Sequence, residues 1–383
     1  MPFLSRFYRA GIFIVLFSVS AHTCAEGSQT VLIGFAGSLS GISETFGKSM
    51  ANAAELAIAA ANHHPYKING KHVLFRLVRV DDQGDPDRAR HVANILVRAG
   101  VIGVIGGANS TTSVASAKIY AAAGIAQISP AATTRKFTGM GYRTTFRTLG
   151  GDSEAIHFLA DYVIDDLRAS RIAVIDNGTL FGVGVAAHFI DVAAKNGATI
   201  VSHDTVTQTE SDFDKILLRL KAQDIDLIFF GGYTSQTSML TKNMRRLEMK
   251  TKLLTSLIGV VGSSFLISTG TAANGTFSLE AGLPFNKMPG WKKFEAAYTQ
   301  RFDFNVYGMT PFAYDAAQVL IAAIRQANSL DARKVVDVLH RIQYRGLTGT
   351  ISFDAAGNLR NPSFTIYEVQ NQRWVALKSH TAE

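Results

Sequence analysis

Four short stretches of this chain have the residue types to hold an anion. They read GFAGSLSG (34–41), GGANSTTS (106–113), SPAATT (129–134) and GGYTSQT (231–237). Each ends an apolar run and is built from Gly, Ser, Thr and other small residues. Small side chains leave backbone N–H groups approachable, and hydroxyls add donors. A helix beginning at STTS would aim its positive N-terminus at the same place. A carboxylate suits such a setting, because charge-assisted hydrogen bonds are the strong ones. A single loop of this kind reads equally well as a turn with N-cap residues. Four at equivalent positions read as the lining of a cleft.

The elements that must position these stretches alternate along the chain. TVLIGFAG (30–37), HVLFRLVRVDD (72–82), VIGVIGG (101–107) and IAQIS (125–129) read as strands. GKSMANAAELAIAAANHH (47–64), PDRARHVANILVRAG (86–100) and TTSVASAKIYAAAG (111–124) read as helices, the second with Pro near its start and Gly at its end. This βαβα order predicts an α/β fold, a parallel sheet with helices on both faces. In such sheets ligands bind beyond the carboxyl ends of the strands, where the four stretches lie. The pattern restarts after residue 150. A helix is expected over 152–168, capped by Asp152 or Ser153, with strands at 171–177, 199–206, 226–232 and 252–257. Helices are expected at 291–302, 311–328 and 331–342, and strands at 349–354 and 363–370.

Composition narrows the function. The chain has 383 residues, 47% hydrophobic and 18% charged, enough for two cores. The net charge is +8, yet no dense basic block demands nucleic acid. The richest basic run, KNMRRLEMKTK (242–252), reads as the solvated polar face of a helix entering a loop, with a docking surface as the alternative. Residues 1–25 read as a signal peptide. Arg6 and Arg9 precede the apolar GIFIVLFSVSA (11–21), and cleavage after Ala21 or Ala25 fits. Cys24 is the single cysteine, so no internal disulfide is available. No G-x-S-x-G elbow and no H-E-x-x-H occurs, which argues against an enzyme. FGVGVAA (181–187) lacks the third glycine of a dinucleotide loop. DDQGDPDR (81–88) has the wrong spacing for an EF-hand and reads as a turn and helix cap. Neither a metal nor a cofactor is expected.

Taken together these motifs resemble the periplasmic branched-chain amino acid (Leu/Ile/Val) binding proteins, type I periplasmic binding proteins that serve ABC importers. The likeness runs from about residue 30 to the last strand. It is carried by IGFAGSLSG, VRVDDQGDP, VIGVIGGANSTTS, ISPAATT, FRT, DFDKILLRLKAQDIDLIFFGGY, AYDAAQ and GLTGTISFDAAGN in that order. The resemblance implies two Rossmann-like lobes joined by a three-strand hinge, with the ligand cleft between them. Lobe 1 would take 28–150 and 282–354, and lobe 2 would take 151–281 and 355–383. It also implies a monomeric periplasmic receptor that hands a small-molecule ligand to an ABC permease, or a sensor of the same build.

By position in the family, Ser110, Ala131 and Thr133 would hold the ligand carboxylate, and Tyr233 would meet the ligand from the second lobe. The departures are informative. The glutamate that pairs with the ligand ammonium is matched here by Leu257, and two cleft tyrosines by Phe46 and Phe181. A buried ammonium with no counter-charge is unfavourable. Either another acid, Glu280 or Asp315, replaces the missing one, or the ligand is a carboxylate or amide without an amino group.

Overall fold

The computed structural model describes residues 28–64 and 66–382. The signal peptide expected over 1–25, with Cys24, lies outside the described residues. No helix among those described is long and apolar enough to cross a membrane.

The chain folds around two separate sheets. The first contains β1 (Gln29–Gly37), β2 (Tyr66–Ile68), β3 (Lys71–Asp81), β4 (Gly103–Ile105), β5 (Ala126–Ser129) and β6 (Thr145–Arg147). Its order is β2-β3-β1-β4-β5-β6, parallel except for the β2–β3 hairpin. Helices α1 (Glu44–Asn62), α2 (Pro86–Arg98), α3 (Ser110–Ala123) and α4 (Arg135–Gly139) connect its strands. The second sheet contains β7 (Arg171–Asp176), β8 (Thr199–Thr205), β9 (Leu227–Gly231), β10 (Lys252–Ser256) and β11 (Thr276–Ala281). Helix α5 (Asp152–Asp165) leads into it, and between its strands run α6 (Leu180–Lys195), α7 (Asp214–Lys221), α8 (Thr234–Arg246) and the short α9 (Ser263–Thr269).

Helices α10 (Trp291–Phe302), α11 (Thr310–Ala327) and α12 (Ala332–Leu339) then return to the first sheet, with α11 lying along α1. After the small β12–β13 pair (Tyr344–Arg345 and Thr350–Ile351), β14 (Ser363–Gln370) and β15 (Arg373–Thr381) complete the second sheet in the order β15-β14-β11-β10-β9-β7-β8. The strands buried on both faces read as continuous apolar runs, as parallel sheets require.

Several expectations needed correction. The 349–354 strand is only Thr350–Ile351, followed by a single bridge between Phe353 and Leu359. Helix α5 is capped by Gly151, with Asp152 as its first residue. Strand β15 was not foreseen. It closes a two-residue hairpin at Asn371 and Gln372, both with positive φ, and Gln372 stands where Gly is the familiar turn signal. Strands β2, β6 and β11 also escaped notice; the first two are only three residues long, and β11 carries a buried glutamate in mid-pattern.

The chain passes between the sheets three times, after β6, after β11 and before β14, and the crossings pack on one another. Gly282 N–H donates to Ser363 O at 2.6 Å, and Thr365 Oγ1 donates to Gly282 O at 2.8 Å. A Cβ on Gly150, in the first crossing, would sit 2.2 Å from the Phe364 ring and 2.8 Å from Pro362. Gly150→Ala should therefore destabilise the protein by about 1–3 kcal/mol through overpacking, read as a lower denaturant midpoint. An unchanged midpoint would mean that the crossings do not pack this tightly.

Candidate functional site

In each sheet the strand order reverses once, between β1 and β4 in the first and between β7 and β9 in the second. Carboxyl ends of strands at such reversals are where open α/β sheets bind ligands. A cavity of about 520 Å³ lies there, walled from both sheets at once. Six of the seven residues expected at a ligand site line it: Phe46, Ser110 and Ala131 from the first half, Phe181, Tyr233 and Leu257 from the second. The Phe181 and Tyr233 rings stack with centroids 6.1 Å apart.

Local chemistry explains the first wall. Asn109 caps α3 by accepting from Thr112 N–H at 2.8 Å, which leaves Ser110 as the first helical residue on the cavity surface. The 131–134 segment is pinned from several directions. Ser129 Oγ accepts from Ala132 N–H at 2.9 Å, and Ser110 Oγ accepts from Thr134 N–H at 3.4 Å. Behind the segment lies Arg147, 2% exposed. Its Nη1 donates to Ala132 O at 3.1 Å and Thr133 O at 2.7 Å, and its Nη2 to Thr134 O at 3.1 Å and Thr138 Oγ1 at 2.6 Å. Burial lowers its pKa, partly opposed by the carboxylates of Asp152, Glu154 and Asp354.

Thr133, expected on the wall, is not among the lining residues. It is buried, its carbonyl accepts from Arg147 and from Asp152 N–H, and its hydroxyl meets no hydrogen-bond partner. Asp152 is itself buried, which pushes its carboxyl up to about 6 against the pull of the nearby Thr133 hydroxyl and Arg147.

The second wall turns on the loop after β10. Leu257 has φ +55°, a sparsely populated conformation for such a residue, and faces the cavity. The loop is held by Glu280, which accepts from Gly259 N–H (2.8 Å), Val260 N–H (3.1 Å) and Ser278 Oγ (2.7 Å). Burial pushes its carboxyl up to about 7. Asp315 is likewise committed, accepting from Leu347 N–H, Thr348 N–H and Thr348 Oγ1. Neither acid lines the cavity, so neither replaces the carboxylate missing at Leu257.

Among the described residues the lining holds no Asp or Glu, and Lys242 is its one charged side chain. The N-terminal turns of α1, α3, α6 and α8 all contribute lining residues, so four helix dipoles point their positive ends at it. The two halves also touch across the cavity: Ser264 Oγ donates to Tyr307 Oη at 2.9 Å, and Gly308 packs against Gly259.

Sequence reasoning missed Gln83, Gly84, Lys242 and Tyr307 on the wall. The DDQGDPDR stretch is a turn and cap as expected. Asp85 caps α2, while Asp81 and Asp82 accept backbone N–H groups of the turn that brings Gln83 to the cavity.

The family described as periplasmic binding protein matches residues 30–373. The Leu/Ile/Val-binding protein homolog 3 of Brucella melitensis biotype 1 is 27% identical over 367 residues, covering 95% of this chain and 98% of the relative. The Leu/Ile/Val-binding protein of Citrobacter freundii is 28% identical over 341 residues, covering 89% and 91%. Among solved structures, the branched-chain amino acid transporter substrate binding protein LivJ of Streptococcus pneumoniae, in complex with isoleucine, superposes with a TM-score of 0.83. It is 22% identical and covers 92% of this chain and 99% of that one.

Two predictions follow from the buried charges. Arg147→Met leaves three buried carbonyls short of a donor and should lower stability by roughly 3 kcal/mol or more, measured by urea unfolding. Glu280 has a folded pKa of about 7, raised above its ordinary 4.5, so the native state holds the proton more tightly than the unfolded chain. Its contribution to stability is therefore present below about 4.5 and is lost as pH rises to about 7. The unfolding free energy should fall across that window, and Glu280→Gln should flatten the fall. A slope unchanged in the variant would remove Glu280 as its source.

Proposed function

The chain belongs to the periplasmic binding protein family, and from that membership we propose that it is the solute-binding receptor of an ABC importer, acting in the periplasm on a small carboxylate-bearing solute. The observation that carries the proposal is the cavity at both strand-order reversals, with four helix N-termini turned to it and, among the described residues, no acidic side chain on its wall. Ser110 and Ala131, with Thr133 directly behind them, serve as the carboxylate anchor. Phe46, Phe181, Tyr233 and Leu257 supply walls that select the remainder of the solute. Lobe 1 (28–150 and 282–354) and lobe 2 (151–281 and 355–383) close on it by bending at the three crossings. The receptor works as a monomer and presents the closed state to a permease. Its role is binding, with no chemical step.

The Leu/Ile/Val-binding names of the relatives support a branched-chain amino acid as the solute. A second reading, a carboxylate or amide without an amino group, is favoured by one feature of the wall. Leu257 and the acid-free lining leave an ammonium only uncharged acceptors, among the same dipoles that would repel it.

A thermal-shift panel separates the two, since ligand raises the melting temperature in proportion to the logarithm of its concentration over Kd. Leucine, valine and phenylalanine are run beside 4-methylpentanoate, 3-methylbutanoate and 3-phenylpropanoate. Shifts from the amino acids alone would sink the second reading, and shifts from the deaminated acids alone would sink the first. With the solute that binds, Ser110→Ala should weaken affinity by about 1–3 kcal/mol in calorimetry. Unchanged affinity would remove Ser110 from the anchor.

A further inference from the structure

We propose that Lys242 determines specificity by meeting a second carboxylate, so that the preferred solute is a dicarboxylate laid along α8. The proposal deepens the carboxylate reading above and rests on it. The cavity follows one face of α8 from Thr234 through Ser235, Ser238 and Met239 to Lys242. Eight residues of helix rise about 12 Å, so this wall is long enough for an extended chain with a polar group at each end.

The donors along that wall are not equally free. Ser238 Oγ donates to Thr234 O at 3.0 Å, and Ser268 Oγ lies 3.0 Å from Ser238 Oγ and 2.9 Å from Phe265 O. The protons of both hydroxyls are therefore occupied within the protein. Neighbours of Lys242 on the outer side of the helix are engaged as well: Asn243 Nδ2 and Arg246 both donate to Asp214 Oδ1. Lys242 itself has no ion pair among the described residues, and its ammonium is the one formal charge on the lining. An uncompensated cation at the end of an acid-free wall selects an anion. A neutral hydrocarbon tail there would leave it with water alone.

The test compares binding of α,ω-dicarboxylates of five to nine carbons with their monoamides, which keep length and shape and remove one charge. Monocarboxylates of equal length serve as a third series. Calorimetry on the wild-type protein should show at least one dicarboxylate binding about tenfold more tightly than its monoamide. In Lys242→Gln that ratio should fall towards one. Since Lys242 is exposed, the wild-type ratio should also shrink at high salt. Dicarboxylate and monoamide binding alike in the wild type, or a ratio that survives in Lys242→Gln, overturns the role of Lys242 and leaves the carboxylate reading standing. If leucine binds and none of the three series does, the reading without an amino group falls, and the proposal falls with it.

Discussion

The guanidinium of Arg147 lies inside the protein and takes the carbonyl oxygens of Ala132, Thr133 and Thr134, three consecutive residues. Hydrogen bonds of a buried charge to neutral carbonyls are strong because no water competes for either partner. Drawing three successive carbonyls to one side restricts the backbone to very few conformations. The segment that forms one jaw of the cavity is thereby set without placing any charge on the cavity surface. The same carbonyl of Thr133 accepts from the first residue of α5, so the hold on this jaw extends directly into the first crossing between the halves.

Glu280 does the complementary work on the other side. Its carboxyl collects two consecutive amides and a hydroxyl, and so fixes the loop that carries Leu257 in its left-handed conformation. A guanidinium behind one wall gathers carbonyls, and a carboxyl behind the other gathers amides. Between them lies a surface of hydroxyls, aromatic rings and backbone, on which Lys242 is the one charged side chain. That arrangement allows a charged solute to be bound by dipoles that need no reorganisation, since each is already held by a buried partner.

Much of this was legible in the sequence. Apolar runs closed by Gly, Ser and Thr located four strand ends, and three of them reach the cavity; the first, GFAGSLSG, stops one residue short of the lining, which begins at Ile42. Phe46, Phe181 and Leu257 were legible as departures from a family pattern, and each lies on the wall. What was hidden depends on three-dimensional partners. Nothing local distinguishes Arg147 from a surface arginine; its burial follows from where β6 ends relative to the 132–134 carbonyls. Lys242 read as part of a solvated helix face, because the turn of α8 relative to the cavity is set by packing against β9 and α9. Glu280 and Asp315 are legible in the sequence as acids that could face the cavity, but both turn to backbone amides and neither lines it.

The contact between halves bears on how closure would discriminate among solutes. Gly259 approaches Gly308 so closely that a side chain on Gly308 would meet the Gly259 Cα at 2.6 Å, and Phe46 lies beside the same loop. The loop that presents Leu257 is therefore also a surface on which the halves meet. A solute that displaced Leu257 would move Gly259 against Gly308 and oppose closure. One that packed beneath Leu257 would leave the contact intact. If the halves close as proposed, selectivity at this position would arise from which solutes allow the closed state, beyond how many contacts each makes, since a ligand shifts a conformational equilibrium only through its differential affinity for the two states.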